Sequence, residues 1–237
     1  MAQLHIITPV KDSIDTARQT IEHIMKSDMI DFTYTVYDDF SNNDTQQELQ
    51  LLSVEKGFNL IHLHDLTDHP SPNYLLVLQH AQQHAISEGV PLLIIESDVN
   101  IQCNTISKLL ERNKELKNPG MIAAVTAHEN GEINFPYLYA ANYASNTIST
   151  VKRLSFCCTL LNIDFLKSYD FRQLNPEKNW YDVFITRQSI VNGFTNYLAM
   201  DIPVLHKPHS SRPWKLEKYT NPLKYYWKKF ILRRDRI

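Results

Sequence analysis

The stretch Val90-Pro91-Leu92-Leu93-Ile94-Ile95-Glu96-Ser97-Asp98-Val99-Asn100 decides the fold of this 237-residue chain. A short apolar run that follows a proline and ends in charge is typical of a strand buried on both faces. Open α/β sheets bind their ligands at the carboxyl ends of such strands. On an extended backbone Glu96 and Asp98 point the same way, and a divalent cation most easily stabilises two converging carboxylates. The alternative is a strand that ends in solvated charge.

Two further predicted strands also end in polar or acidic residues. Residues 4–10 lead into Lys11-Asp12-Ser13, and residues 33–37 lead into Asp38-Asp39-Phe40-Ser41. Helical patterns separate the three strands, so their carboxyl ends should share one edge of a parallel sheet. We therefore expect a functional site along that edge.

The spacing of apolar residues predicts the remaining elements. Asp44 and Asn104 are the expected N-caps of two helices, and Asn118-Pro119-Gly120 is the expected end of the second. The other predicted helices are residues 14–27, 74–85, 164–169 and 180–192. The other predicted strands are residues 58–63, 121–127, 132–143, 150–161, 196–200 and 204–206. The alternation over the first 127 residues predicts an α/β fold with a doubly wound, mostly parallel sheet.

The composition excludes several classes of function. Twenty-four Lys and Arg against 26 Asp and Glu give a net charge of −2, which provides no global field for nucleic acid. The chain has five glycines and neither a GxGxxG nor a GxxxxGK motif, so a glycine-rich phosphate-binding loop is not expected. Any phosphate would have to be bound by a metal or by side chains. No secretion signal or 18-residue apolar run is present, so we expect a cytoplasmic protein. Adjacent Cys157 and Cys158 are interpreted as small buried hydrophobes in a reducing compartment.

The ordered motifs resemble those of family 2 glycosyltransferases of the GT-A fold, from about residue 4 to residue 209. The motifs are Ile6-Ile7-Thr8-Pro9-Val10, Tyr37-Asp38-Asp39-Phe40-Ser41-Asn42-Asn43-Asp44-Thr45, Glu96-Ser97-Asp98, Trp180-Tyr181-Asp182, Gly193-Phe194 and Val204-Leu205-His206. The resemblance implies one domain over residues 1–212, in which a Rossmann-like nucleotide-sugar half (1–127) merges with an acceptor half (128–212). It implies a metal-dependent, inverting hexosyltransferase that uses a UDP- or dTDP-sugar. The acceptor would be a saccharide or a lipid-linked molecule in surface polysaccharide synthesis.

The resemblance also implies a role for each matched residue. Asp98 and His206 would bind Mn²⁺ or Mg²⁺, and Asp182 would be the general base. Trp180, Tyr181 and, beyond the motifs, Tyr137 are candidates for aromatic faces under an acceptor sugar, with core packing as the alternative use. The residues expected to bind the nucleotide are Thr8, Pro9, Asp38, Asp39, Ser41, Glu96 and Ser97.

Two other functions stay open because the chain departs from the family pattern. Glu96 replaces the usual Asp, Phe40 replaces a usual Gly, and Asp182 lacks an acidic neighbour. A GT-A domain that binds a nucleotide without turnover fits these departures. A sugar-1-phosphate nucleotidyltransferase has a similar sheet but should carry a Gly-rich loop after the first strand, where residues 8–12 contain no glycine.

Two more segments have a chemical pattern of their own. Residues 62–69 include three histidines and two aspartates, which suit either a zinc site or an exposed loop. Residues 213–237 predict a basic amphipathic helix that either contacts an anionic membrane peripherally or docks on its own domain. The apolar stripe of that helix is Leu223, Tyr226, Trp227, Phe230 and Ile231, and its basic residues are Lys224, Lys228, Lys229, Arg233, Arg234 and Arg236.

Overall fold

The computed structural model describes residues 2–28, 30–143, 146–177 and 180–207, together with positions 221, 223, 224, 227 and 231. The chain divides into two compact units, Met1–His206 and Lys207–Ile237. The predicted boundary after residue 212 lies outside the described residues and stays a prediction.

The first unit alternates strands and helices along the chain. The strands are β1 (Leu4–Val10), β2 (Phe32–Asp38), β3 (Asn59–His62), β4 (Leu92–Ile95), β5 (Val99–Asn100), β6 (Pro119–Ala127), β7 (Thr147–Thr150), β8 (Cys158–Leu161) and β9 (Thr195–His206). The helices are α1 (Ile14–Met25), α2 (Asn43–Lys56), α3 (Tyr74–Glu88), α4 (Thr105–Glu115), α5 (Ile163–Ser168) and α6 (Tyr181–Val191).

The described strands form one sheet in the order β3-β2-β1-β4-β8-β6-β9-β5, with β7 also paired to β9. Strands β3, β2, β1 and β4 are parallel neighbours. Strand β8 runs antiparallel to both β4 and β6, and β9 is parallel to β6. Six of these nine strands therefore share one direction, which confirms the predicted α/β fold with a mostly parallel sheet.

Helices cover both faces of the sheet, as the apolar run of β4 predicts. Leu93 and Ile95 belong to the core on the side of α1, α2 and α4, whereas Leu92 and Ile94 belong to the core on the side of α3, α5 and α6. All four side chains are fully buried. Neighbouring residues of a strand point to opposite faces, so a strand that is apolar at every position suits the middle of a doubly wound sheet.

The second half of the first unit differs from its predicted elements. Strand β6 is not the next parallel neighbour of β4, because antiparallel β8 lies between them. The predicted strand over residues 132–143 is wrong: the segment has one isolated bridge at Ile133 and a 3₁₀ turn over Leu138–Ala140. The two strands predicted over residues 196–206 are one continuous strand, β9, whose register against β6 shifts after Ala124.

Two helix boundaries also differ from prediction. The N-cap of α2 is Asn42 and not Asp44, because the Asn42 side chain accepts a 2.9 Å hydrogen bond from Thr45 N. Gly120 does not end a helix but lies in β6. A Cβ atom there would come within 2.0 Å of Ser189 Oγ, so glycine allows α6 to pack closely against this strand.

Few positions of the second unit are described. Leu223, Trp227 and Ile231 are helical, and their side chains are 87%, 68% and 53% exposed. Tyr226, Phe230 and most basic residues of the predicted amphipathic helix lie outside the described residues. Among the residues that the structure describes, none of the helices combines the length and the apolar character that crossing a membrane requires.

Candidate functional site

The polar ends of β1, β2 and β4 share one edge of the sheet. Val10 lies opposite Asp38 and Ile7 opposite Ile94, so the three strands end side by side. We call this region, formed by residues 8–13, 38–42 and 96–98, the carboxyl edge. Its position confirms the arrangement expected from the sequence.

The loops after β1 and β2 are joined by hydrogen bonds. Asp12 Oδ1 accepts from Asn42 N at 2.7 Å, and Asp12 N donates to Ser41 Oγ at 3.0 Å. The Lys11 ammonium, followed by the Asn42 N–H, lowers the pKa of Asp12. Phe40 has φ = +57°, in the left-handed region that favours glycine. The position where glycine was expected therefore keeps a glycine-like backbone at a strain of about 1–2 kcal/mol.

Asp38 is fully buried and fixed at both oxygens. Oδ1 accepts from Ser41 N at 3.1 Å, and Oδ2 lies 2.9 Å from His62 Nδ1. His62 also stacks on His64, with 5.1 Å between ring centroids. His62 and His64 thus lie beside the end of β2, and together with Asp38 they could hold a metal ion.

Asp39 holds the segment that precedes α3. Oδ2 accepts from Ser71 Oγ at 2.8 Å and from Asn73 N at 2.9 Å, and Oδ1 accepts from Asn73 Nδ2 at 2.8 Å. A carboxylate offers about four acceptor positions, so Oδ1 keeps capacity for one further donor such as a pyrimidine N–H.

Thr8 is the first residue of the carboxyl edge, and its side chain is not on the surface. The side chain is fully buried, and its hydroxyl accepts a 3.0 Å hydrogen bond from Tyr34. The structure therefore places the Thr8 side chain in the core. Pro9, the next residue, is half-buried.

The backbone turns at the acidic end of β4. Val99 N donates to Glu96 O at 3.2 Å across a Ser97-Asp98 turn, so the expectation of an extended Glu96–Asp98 segment is wrong. The turn leads into β5, where Val99 lies opposite His206 of β9. This antiparallel pairing, which the sequence pattern did not predict, brings His206 to the two carboxylates.

His206 is the centre of a buried group that we call the strand-end cluster: Glu96, Asp98, Cys157 and His206. Its Nε2 atom lies 3.6 Å from Asp98 Oδ2 and 4.0 Å from Cys157 Sγ. Cys157 Sγ donates to Glu96 Oε2 at 3.5 Å. One ligand atom each from Glu96, Cys157 and His206 lies within 4.8 Å of the others.

The hydrogen bond at Nδ1 of His206 determines which ring nitrogen can bind a metal. Nδ1 lies 2.7 Å from Phe135 O, so it must donate to that carbonyl, and in the neutral ring Nε2 keeps the lone pair that faces Asp98. Metal-bound histidines commonly have this outer contact. Two carboxylates and an imidazole form a donor set that suits Mn²⁺, so the residues fit the predicted divalent cation.

Ionisation of the strand-end cluster follows from its burial. Burial lowers the pKa of His206, but Cys157 and the Asp98 carboxylate together raise it further than burial lowers it. Burial, reinforced by the Glu96 carboxylate, raises the pKa of Cys157. A cation at this position would therefore displace a proton from His206.

Asp182 lies in the first turn of α6, as predicted. Oδ1 accepts from Val183 N at 2.9 Å, and Oδ2 lies 3.4 Å from Arg153 Nε. The Asp182 side chain is 21% exposed. Three residues lie between Arg153 and Cys157, so four steps along the chain allow their Cα atoms to be at most about 14 Å apart. Asp182 contacts Arg153 at one end of this short segment, and Cys157 at the other end belongs to the strand-end cluster.

The predicted aromatic faces differ in exposure. Tyr137 is 1% exposed, and its hydroxyl accepts from Ser155 N at 2.9 Å and donates to Ser155 O at 3.3 Å. An acceptor face from Tyr137 is therefore wrong for this structure, which uses the ring in the core. Tyr181 is buried against Tyr74, with 6.4 Å between ring centroids, whereas Trp180 is half-buried.

Four residues of the site were missed as contributors from the sequence alone. Cys157 was interpreted as a core residue, although the pairing of Ile95 with Cys158 places it beside Glu96. Ser71, Asn73 and Arg153 hold site carboxylates from segments without a motif. A polar run before a predicted helix was the only available signal for Ser71 and Asn73.

Solved structures with a similar fold are known for this chain. No protein-family model and no curated protein matches the chain. S. aureus TarS 1–349 in complex with UDP aligns with a TM-score of 0.67 at 16% identity, over 92% of this chain and 64% of that one. The Pyrobaculum calidifontis mannosyltransferase PcManGT, in complex with GDP-Man and Mn²⁺, gives 0.65 at 12% identity, over 96% and 64%. GalNAc-T7 with UDP, GalNAc and Mn²⁺ gives 0.62 at 9% identity, over 87% and 44%.

These similarities show a GT-A fold. The chain spans less than two thirds of the length of each of these three structures.

Proposed function

We propose that this chain is a glycosyltransferase that moves a sugar from a nucleoside-diphosphate donor to an acceptor hydroxyl, with inversion and with a divalent cation at the carboxyl edge. The observation that carries the proposal is the strand-end cluster, in which His206 Nε2 faces Asp98 Oδ2 at 3.6 Å while Phe135 O holds Nδ1. The cluster lies at the carboxyl end of the central strand β4, where α/β sheets bind ligands.

The nucleotide would bind along the ends of β1 and β2. The half-buried Pro9 and the Ser41 turn border this surface, and Asp39 Oδ1 would accept the N3–H of a UDP- or dTDP-type base. Asp38 would support the nucleotide surface indirectly. Its side chain is fully buried, and its Oδ1 atom accepts a 3.1 Å hydrogen bond from Ser41 N. Ser97 would lie next to the diphosphate, at the turn after β4.

Glu96, Asp98 and His206 would hold Mn²⁺ or Mg²⁺. When bound, the cation supplies positive charge that stabilises the departing nucleoside diphosphate. Because Glu96 is longer than the Asp of the family pattern, it would reach the metal shell or a ribose hydroxyl. PcManGT and GalNAc-T7 were each determined with Mn²⁺, which supports this assignment.

Asp182 would remove the proton from the acceptor hydroxyl as its oxygen attacks the anomeric carbon. The new carbon–oxygen bond forms as the bond to the diphosphate oxygen breaks, so a single displacement inverts the anomeric configuration. Arg153, 3.4 Å from Asp182, would hold the carboxylate in place. Trp180 and Tyr181 would border the acceptor, a saccharide or a lipid-linked molecule used in surface polysaccharide synthesis.

The test combines binding and turnover. Isothermal titration of the full chain with UDP should show binding that Mn²⁺ strengthens, and a panel of nucleotide-sugars should yield hydrolysis or transfer with at least one donor. Binding without turnover across the panel would favour an inert nucleotide-binding module. Release of pyrophosphate from a sugar-1-phosphate and a nucleoside triphosphate would favour a nucleotidyltransferase.

A further inference from the structure

A second group of metal-ligating side chains lies at the opposite end of β1. We call it the amino-edge cluster: His5 near the start of β1, with His84 and Glu88 in the last turns of α3. Five residues separate His5 from Val10, or about 16 Å of strand. Neither the nucleotide surface nor the proposed transfer step uses these side chains.

His5 is a fully buried side chain whose two ring nitrogens make no hydrogen bond to the described residues. Burial, followed by the charges of His84 and His80, lowers the pKa of His5 to about 3. An unpaired imidazole in a core costs stability unless a ligand satisfies it.

The distances within the cluster match those around a tetrahedral metal ion. Glu88 Oε2 lies 3.7 Å from His5 Nδ1 and 3.4 Å from His84 Nδ1. One ligand atom from each of the three residues lies within 4.8 Å of the others. Ligands about 2.0–2.1 Å from a tetrahedral zinc ion are about 3.3–3.4 Å apart, so small side-chain movements would complete the geometry.

Local structure holds the ligands in place. His84 and Glu88 are four residues apart and share one face of α3. Thr33 Oγ1 donates to Glu88 Oε1 at 3.3 Å, which leaves Oε2 for a metal. The side chains of His84 and Glu88 are 39% and 30% exposed, so the cluster lies near the surface with His5 as its buried floor. His84 Nδ1 is itself buried and makes no hydrogen bond to the described residues.

We propose that His5, His84 and Glu88 bind a zinc-type transition-metal cation, with a water as the fourth ligand, at a site separate from the carboxyl edge. Two imidazoles and one carboxylate favour Zn²⁺ or Co²⁺ over Mg²⁺. The bound ion joins the end of α3 to the beginning of β1. It therefore stabilises the folded chain without contacting the donor nucleotide.

The test uses Co²⁺ as a spectroscopic probe on the full chain after treatment with a chelator. The wild type should develop the visible absorption of tetrahedral Co²⁺, which Zn²⁺ then displaces. His84→Ala and Glu88→Gln should lose this band, while the exposed-residue controls His69→Ala and Glu111→Gln keep it. The band should persist in His206→Ala. That change removes the histidine of the strand-end cluster and leaves His5, His84 and Glu88 intact. His5→Ala is avoided because a fully buried position risks misfolding.

A second measurement does not depend on cobalt spectra. Zn²⁺ at a hundredfold excess over its Kd should raise the Tm of the wild type by about 5–10 °C. His84→Ala should lose that rise and His69→Ala should retain it. The proposal is overturned if the wild type shows no cobalt band, if the band survives His84→Ala, or if only His206→Ala removes it.

Discussion

The two ends of β1 have opposite chemistry. At the carboxyl edge, oxygen ligands predominate, and they come from a turn and the loops after strands, with His206 added by the last strand of the first unit. At the amino edge, two histidines and one glutamate come from regular elements: His5 from the start of one strand, and His84 and Glu88 from the last turns of one helix. Under the two proposals, the first arrangement would exchange a cation together with a nucleotide, whereas the second would hold a cation permanently.

The difference follows from where the backbone is free to vary. Residues in turns, such as Ser97-Asp98, can aim their side chains at a ligand without breaking a ladder of hydrogen bonds. His5 has no such freedom because its backbone pairs with strands on both sides. A site built on regular elements is therefore rigid, which suits a structural ion better than a substrate.

Asp98→Ala should have the largest effect at the carboxyl edge. Loss of one anionic ligand should abolish the Mn²⁺-dependent part of UDP binding and lower transfer by about 10³-fold, the upper range for removal of a charge-stabilising group. The Zn²⁺-induced rise in Tm should stay as in the wild type. Titration with UDP and Mn²⁺, alongside thermal melts with Zn²⁺, measures both. Full Mn²⁺-dependent affinity in Asp98→Ala would refute the metal assignment.

Asp182→Asn should leave donor binding within a few-fold of the wild type and lower transfer by about 10²-fold, the usual scale for loss of a general base. Steady-state kinetics with a saturating donor separates the two effects. Arg153→Gln is the matched control, because it removes the 3.4 Å ion pair while keeping the carboxylate. If Asp182→Asn transfers sugar at a normal rate, Asp182 is not the general base.

Asp39→Ala should weaken UDP binding by about 10- to 150-fold with or without Mn²⁺, since a hydrogen bond to a charged group contributes about 1.5–3 kcal/mol. It should also reduce the free energy of unfolding, because the buried Asn73 loses both of its Asp39 contacts. Ser71→Ala, which removes one bond to Asp39, is the matched control and should change UDP affinity less. Titration with UDP at two Mn²⁺ concentrations tests this. An affinity loss seen only with Mn²⁺ would indicate that Asp39 contributes to metal binding and not to binding of the base.

Truncation after Thr220 should have the smallest effect on either edge, leaving UDP affinity and the Zn²⁺ response unchanged. It should abolish sedimentation with anionic vesicles, because the exposed Leu223, Trp227 and Ile231 and the six basic residues of the tail are removed. High salt should release the full chain from such vesicles. The docked-helix alternative predicts a different result: the full chain does not bind vesicles at any salt concentration, and the truncated form is insoluble.

The sequence predicted the carboxyl edge better than the rest of the molecule. Asp38, Asp39, Glu96 and Asp98 follow apolar runs whose direction is fixed by parallel pairing, so their common edge could be inferred. The direction of β8 could not, because all four of its residues are buried and periodicity carries no information on strand order. The position of Cys157 beside Glu96 depended on that unseen pairing.

The amino-edge cluster shows a different limit of sequence reasoning. Its signals were a histidine inside an apolar strand and a His84-x-x-x-Glu88 spacing at the end of a predicted helix. Each is common in ordinary proteins, and nothing in the sequence indicates that β1 and the end of α3 lie against each other. Tyr137 failed for a related reason, since an aromatic residue in a polar loop gives no sign of whether it packs inward.

The position of His206 at the last residue of β9 has a consequence for the order of folding. β1, β2, β3 and β4 leave the ribosome first and can pair through helical crossovers, but β9 must join β6, β7 and β5 across long stretches of chain. Such nonlocal pairing forms late because loop closure costs entropy before contacts are gained. The carboxyl edge thus acquires its imidazole only when the sheet is complete. Mn²⁺ would therefore bind at the end of refolding and could serve as a reporter of its final step.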